Sequence, residues 1–189
     1  CGMVGSAQGW SEAAYRSTPV DVASLGQALH GIRSLRGVQV HIVPGVIEQV
    51  GLPNVMRGEE TQVLGVLQGL GPQVLIGLPG SHSKWVEVVE GRITHFDTFM
   101  TGEVFAALRS STILGRTMEP AADFQAAAFA QGLQVARSPS GKRGVLSTIF
   151  STRTLGLEKQ LHPTEQADYL SGLLIGHEVE AAQQIQRQS

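Results

Sequence analysis

The stretch "QVLIGLPGSHSKWVEVVEGRITHFDTF", residues 73–99, does most to limit the folds open to this chain. Three apolar, β-branched runs follow one another, each of strand length and none with helical spacing. "QVLIGL" stops at Pro79-Gly80. "KWVEVVEG" and "RITHFDTF" are joined by Glu90-Gly91, a tight two-residue turn. The expectation is a β-meander. Its first connection, "PGSHSK", carries more polar groups than a hairpin turn needs, and that surplus calls for an explanation.

The flanks are simpler. "VQVHIV", Val38 to Val43, reads as a strand ended by Pro44-Gly45. "EETQVLGVLQGL" has apolar residues at 63, 64, 66, 67 and 70, which predicts a helix stopped by Gly71-Pro72. After Gly102 the pattern turns helical, at Glu103 to Leu108, at Asp123 to Gln131, in "RGVLSTIFSTRTLGL", and from Pro163 to Gln188. In the last of these Thr164 is placed to N-cap, and apolar residues fall at 170, 173, 174, 175 and 179. A strand-rich part, 1–100, is therefore expected before a helix-rich part, 101–189. The nearest thing to a linker is Arg137 to Gly144, and there is no internal repeat. With 42% hydrophobic and 16% charged residues, the chain can build a packed core.

Several function classes are poorly matched. Net charge is −2 with no basic block, so the electrostatic footprint of a nucleic-acid binder is missing. No apolar run approaches the ~18 residues of a membrane span, and no charged leader precedes an apolar segment. Cys1 has no second cysteine to pair with, which fits a reducing compartment, so a cytoplasmic location is expected. "CGMVGS" begins without Met and reads like mid-domain sequence, so a piece of a longer chain is expected. "GKR" at Gly141 is not a Walker A loop, because Ala136 stands in the first Gly position and Arg143 replaces Ser or Thr. No Gly-x-Gly-x-x-Gly follows a strand. His177-Glu178 lacks the second His of a zinc helix, and scattered His residues without Cys partners assign no metal ligand.

Four stretches carry possible chemistry. Gly80, Ser81, His82, Ser83 and Lys84 form a Gly-led turn whose backbone N–H groups, hydroxyls and ammonium suit phosphate oxygens. A polar surface hairpin is the competing reading. A Ser-His hydrolase is a third, weakened by the absence of Gly-x-Ser-x-Gly. Glu59 and Glu60 open a helix. There a carboxylate is favoured electrostatically, and there it can also be held facing a cleft to take a hydroxyl proton. Arg57 beside them could pair with a substrate carboxylate. Thr101, Gly102 and Glu103 offer a hydroxyl and a carboxylate to sugar hydroxyls, or else cap the next helix with Thr101 as N-cap. Gly172 and Gly176, four apart on a helix, ask for close approach, to another element or to a flat ligand.

The order of these stretches is more specific than any one of them. Loop-carboxylate-helix, strand, Gly-Ser turn, strands, then a Ser-Gly-x-x-x-Gly helix resembles the sugar kinases related to hexokinase and actin. Aligned on Leu64, their catalytic Asp falls at Glu59. The wording of "GMVGSAQGW", "NVMRGEETQ", "LPGSHSKWV", "TFMTGEVF" and "SGLLIGHEV" is similar to the 2-dehydro-3-deoxygalactonokinase family, from Gly2 to Val179. That family's turn usually has Thr where Ser81 stands, which keeps the hydroxyl.

The resemblance implies an α/β, actin-like (hexokinase-like, ribonuclease H-like) two-lobed kinase fold, present here in part. It implies ATP and Mg²⁺ as cofactors and a small sugar acid as partner, with 2-dehydro-3-deoxy-D-galactonate phosphorylated at its 6-hydroxyl. A homodimer stays open. Glu59 would be the base, with Glu60 as its alternative. Gly80 to Lys84, Gly172 and Gly176 would hold ATP, and Ser6, Arg57, Thr101, Gly102 and Glu103 the sugar acid. The family's first phosphate loop, which also contributes the Mg²⁺-organising Asp, and its Gly-rich adenosine segment are not in these 189 residues. The competing reading is a non-catalytic sugar-binding or regulatory member of the same superfamily.

Overall fold

The computed structural model describes residues 1–186 and shows a mixed α/β chain. Short strands come first: β1 (Tyr15–Ser17), β2 (Val20–Asp21), β3 (His30–Arg33), β4 (Gln39–Ile42), β5 (Gly45–Glu48) and β6 (Asn54–Met56). Helix α1 (Glu59–Val66) follows, then β7 (Gln73–Leu78), β8 (Ser83–Val89) and β9 (Arg92–Phe99). The remainder is helical: α2 (Thr101–Ser111), α3 (Ala126–Arg137), α4 (Val145–Thr148), α5 (Ser151–Leu157) and α6 (Gln166–Gln186).

The chain divides into two compact units. Residues 1–79 and 84–98 form one, residues 80–83 and 99 onward the other. The first holds a four-stranded sheet of order β2-β9-β8-β7, a three-stranded sheet β1-β5-β6, and the hairpin β3-β4. In the meander, β7 and β8 pair antiparallel from Gln73↔Val89 to Leu78↔Lys84. Glu90 and Gly91 both have positive φ, 50° and 73°, as a turn matched to strand twist requires. β5 pairs parallel with β1 and antiparallel with β6. Val46, Met56, Val63, Val86, Val88, Ile93 and Phe96 meet in the core of this unit.

The second unit rests on α3 against α6. Ala128, Ala136, Tyr169 and Leu173 are buried there. Small residues let the backbones approach: a Cβ on Gly172 would meet the Phe129 carbonyl, and one on Gly132 the Tyr169 carbonyl. Polar groups inside find partners. The Tyr169 hydroxyl bonds Ser151 Oγ at 2.6 Å, and Thr117 donates to buried Gln166 at 2.8 Å.

Element boundaries differ from expectation for local reasons. Pro44-Gly45 ends β4, and β5 begins at once at Gly45. α1 stops at Val66, short of Leu70, because Gly69 turns the chain at φ 85°. "RGVLSTIFSTRTLGL" is two short helices, α4 and α5, rather than one. Thr164 does not cap α6; its hydroxyl bonds the His162 ring at 2.9 Å, while Glu165 takes the His162 N–H at 2.7 Å. The expected C-terminus of that helix, Gln188, lies outside the described residues.

Candidate functional site

In the first unit, the junction between β6 and α1 holds three of the expected residues, Arg57, Glu59 and Glu60. Gly58 caps α1 with φ 118°, a conformation only glycine takes without strain. The two carboxylates of the first helical turn then fold back on the backbone before them. Glu59 Oε2 accepts the Arg57 N–H at 3.0 Å, and Glu60 Oε2 accepts the Gly58 N–H at 2.6 Å. Helix N-termini leave such N–H groups unpaired and favour negative charge.

The two acids then part ways. Glu60 is 0% exposed, with its other oxygen taken by the Thr61 hydroxyl at 3.2 Å. Burial pushes its pKa up; hydrogen bonds from Gly58, Glu60 and Thr61 oppose this, and the charge of Glu59 adds to it. Glu59 is only partly buried and keeps one oxygen with no hydrogen bond to a described residue. Arg57 stacks over Tyr15 at 4.2 Å and donates from Nη2 to the Ala13 carbonyl at 2.7 Å. Its buried Nε and Nη1 have no hydrogen-bond partner. Ser6 sits at the end of the short 3-10 turn Gly2–Gly5 and donates to the Met3 carbonyl at 2.9 Å.

In the second unit the turn Gly80–Ser83 packs on the start of α2. Gly102 makes this possible by its lack of a side chain: a Cβ there would come within 2.6 Å of the Gly80 carbonyl oxygen and 2.8 Å of Ser81 Cα. The Glu103 N–H donates to the Ser81 carbonyl at 3.0 Å, and the Glu103 carboxylate pairs with His82 Nε2. Gly80, Ser81 and His82 are exposed, and Ser83 is buried. Thr101 is the first helical residue and not the N-cap; that place falls to Met100, without a side-chain cap. Gly172 and Gly176 are filled over by α3, since a Cβ on Gly176 would stand 2.6 Å from that of Ala136. Close helix packing accounts for both glycines.

Lys84 does not join the turn. It shares the buried face of β8 with Val86 and Val88 and is 5% exposed. Its Nζ donates to the Val55 carbonyl and to Thr98 Oγ1, both at 2.7 Å. Burial pushes its pKa down, and the charge of Glu59 partly restores it.

One cluster escaped the sequence reading. His95 on β9 lies between two carboxylates, Nδ1 to Glu48 at 2.8 Å and Nε2 to Asp97 at 3.1 Å. Glu48 also accepts the Phe96 N–H at 3.1 Å. Burial pulls the His95 pKa down, but the hydrogen bond to Glu48 and the charges of Glu48 and Asp97 outweigh it, and the net direction is up. His95 and Asp97, two apart on a strand, share a face; that much was legible. Glu48 comes from a strand that the sequence did not announce. Among the described residues no group of three or more His, Cys, Asp or Glu is arranged to hold a metal ion, and no helix is long and apolar enough to cross a membrane.

The chain is similar to two curated proteins and to a solved structure. The probable 2-dehydro-3-deoxygalactonokinase of Rhizobium meliloti (strain 1021) is 39% identical over 187 residues, covering 96% of this chain and 60% of that protein. The 2-dehydro-3-deoxygalactonokinase of Escherichia coli (strain K12) is 36% identical over 179 residues, 94% of this chain and 58% of that protein. The chain thus spans about three fifths of the length of these curated relatives. A crystal structure from Sinorhizobium meliloti, described as "a putative 2-dehydro-3-deoxygalactonokinase protein", superposes with a TM-score of 0.87 at 35% identity, over 96% of this chain and 61% of that one. The model of the 2-keto-3-deoxy-galactonokinase family matches residues 1–189, and the chain belongs to that family.

Proposed function

We propose that this chain serves an ATP-dependent kinase that phosphorylates 2-dehydro-3-deoxy-D-galactonate at its 6-hydroxyl, in the cytoplasm, on an actin-like two-lobed fold. One observation carries the sugar-acid reading. Arg57 holds two buried guanidinium nitrogens, Nε and Nη1, without a partner, two residues before a carboxylate with one oxygen that has no hydrogen bond to a described residue. A guanidinium with unmet donors suits a substrate carboxylate, and a neighbouring Glu suits the proton of a substrate hydroxyl.

The geometry supports the following roles. Glu59 accepts the 6-hydroxyl proton, because the residue is only partly buried and one of its oxygens has no hydrogen bond to a described residue. Glu60 is the structural member of the pair, with both oxygens occupied and no exposure. Arg57 orients the sugar acid through its carboxylate. Ser6 bonds within its own turn, which supports a role in shaping that segment. Gly80, Ser81, His82 and Ser83 suit the phosphates of ATP: three of the four are exposed, with their backbone held by α2. Thr101, Gly102 and Glu103 support that turn, by the Gly102 approach and the Glu103–His82 pair, rather than meeting the sugar acid.

When bound, ATP supplies the phosphoryl group, and the protein's task is alignment and charge neutralisation. The described residues form no cage for Mg²⁺. The ion fits as one carried on nucleotide phosphates, its usual manner. The direct test is ADP release by the full-length protein with ATP and the sugar acid. Release that requires 2-dehydro-3-deoxy-D-galactonate supports the reading. A well-folded protein without sugar-acid-dependent ADP release refutes it. Arg57→Met should raise KM for the sugar acid far more than KM for ATP.

A further inference from the structure

We infer that Lys84 is a positioning residue for the Glu59 carboxylate and not a ligand of the nucleotide phosphates. The inference rests on the kinase reading above, with Glu59 as base.

The ammonium sits where three strands meet. It donates to the carbonyl of Val55 on β6 and to Thr98 on β9, while its own backbone lies in β8. Thr98 passes the bond on, donating to Asn54 Oδ1 at 2.7 Å, and Asn54 Nδ2 donates to the Phe96 carbonyl at 2.9 Å. One cation and two small polar side chains thus fasten β6 to β9. β6 ends at Met56, directly before Arg57 and Gly58. The N–H groups of these two residues are the ones on which the Glu59 and Glu60 carboxylates rest.

Charge agrees with this placement. A buried ammonium is costly without a negative neighbour, and Glu59 is the charge that acts on Lys84. Reaching a phosphate would oblige Lys84 to leave the core face of β8 and give up two hydrogen bonds of 2.7 Å. Small displacements of catalytic groups are expensive, about 10²-fold in rate for 1 Å.

The test uses the full-length protein with Lys84→Met, Thr98→Val and Glu59→Gln, alone and with Lys84→Met and Glu59→Gln combined. Lys84→Met should lower kcat by about 10²-fold and leave KM for ATP nearly unchanged. In the Glu59→Gln background it should cause little further loss of kcat, since the two act as a unit. A residue that merely supports the fold would subtract equally from both backgrounds. Thr98→Val keeps the cation and removes one acceptor, so kcat should fall less, again without a change in KM for ATP. If Lys84→Met fails to fold, Thr98→Val decides, and parent-like turnover in it overturns the proposal. A rise in KM for ATP with kcat intact in Lys84→Met also overturns it, and leaves Glu59 as base untouched. Parent-like turnover in Glu59→Gln overturns both readings at once.

Discussion

Helices α1 and α2 both carry a Gly-Glu pair at their start, Gly58-Glu59 at the cap of α1 and Gly102-Glu103 in the first turn of α2, and the two dipeptides are there for different reasons. At α1, Gly58 is needed for its backbone angle, φ 118°. At α2, Gly102 is needed for the space its missing Cβ leaves to the turn Gly80–Ser81. The acids differ in the same way. Glu59 folds back on its own junction, two residues away, whereas Glu103 reaches His82, 21 residues earlier in the chain. One junction is built by local chain geometry, the other by tertiary contact. Identical short motifs at helix starts therefore carry no common meaning until the partner of the carboxylate is known.

The comparison breaks most sharply at the acids. Glu59→Gln in the full-length protein should lower kcat by about 10²–10⁴-fold, the usual range for a general base, with KM for the sugar acid little changed. Steady-state kinetics beside a thermal melt measures this. Glu60→Gln should cost far less in kcat, because Glu60 is 0% exposed and its oxygens are already taken. A collapse confined to Glu60→Gln would exchange their roles.

The glycines come next. Gly58→Ala forces a side chain onto φ 118° with its Cβ 3.3 Å from Gly2 Cα, and should cost about 1–3 kcal/mol of stability. Gly102→Ala has no angular strain to bear; it must push the Gly80–Ser81 backbone away. Its signature should be a raised KM for ATP, out of proportion to the loss in melting temperature. If both variants show the same pattern, the distinction between angle and space is wrong.

A smaller effect separates a partly buried charge from an exposed one. His95, between Glu48 and Asp97, has a pKa raised above 6.5 in the folded state. Its charged form is favoured by folding. The stability it contributes is therefore fully present below about pH 6.5 and is lost as pH rises through the higher folded value. Denaturation followed across that window should show the decline, and His95→Gln should flatten it. A parent-like slope in the variant would assign the pH dependence to other groups. The smallest change is expected at the exposed pair. Glu103→Gln should move stability by less than about 1 kcal/mol, as surface ion pairs do, while KM for ATP rises if the pair steadies the turn.

Much of this was legible. The apolar, β-branched runs of strand length from Gln73 to Phe99 marked three strands, and Glu90-Gly91 marked the turn between the last two. The place of Glu59 and Glu60 at a helix start was legible, whereas their backbone partners, the N–H groups of Arg57 and Gly58, were not. Other features were not. β1, β2, β5 and β6 are only two to four residues long, too short for a periodic signal. The Glu48–His95 contact joins residues 47 apart. The turn "GSHSK" reads as one polar unit, yet its lysine belongs elsewhere.

What the sequence by itself determined is therefore whatever depends on neighbours within a few residues: strand periodicity, the positive-φ turn, the helix-start carboxylates, and the family wording that carries the kinase reading. Tertiary structure alone decided where side chains are sent. Alternation along β8 turns Lys84 inward, and only strands brought beside it by folding, β9 in its own sheet and β6 in another, supply Thr98 and Val55 as acceptors. α3 fills the space over Gly172 and Gly176, so those glycines serve packing. The physical reason is range. Backbone dihedrals and adjacent charges are set locally, whereas hydrogen-bond partners and close contacts depend on segments that only folding brings together.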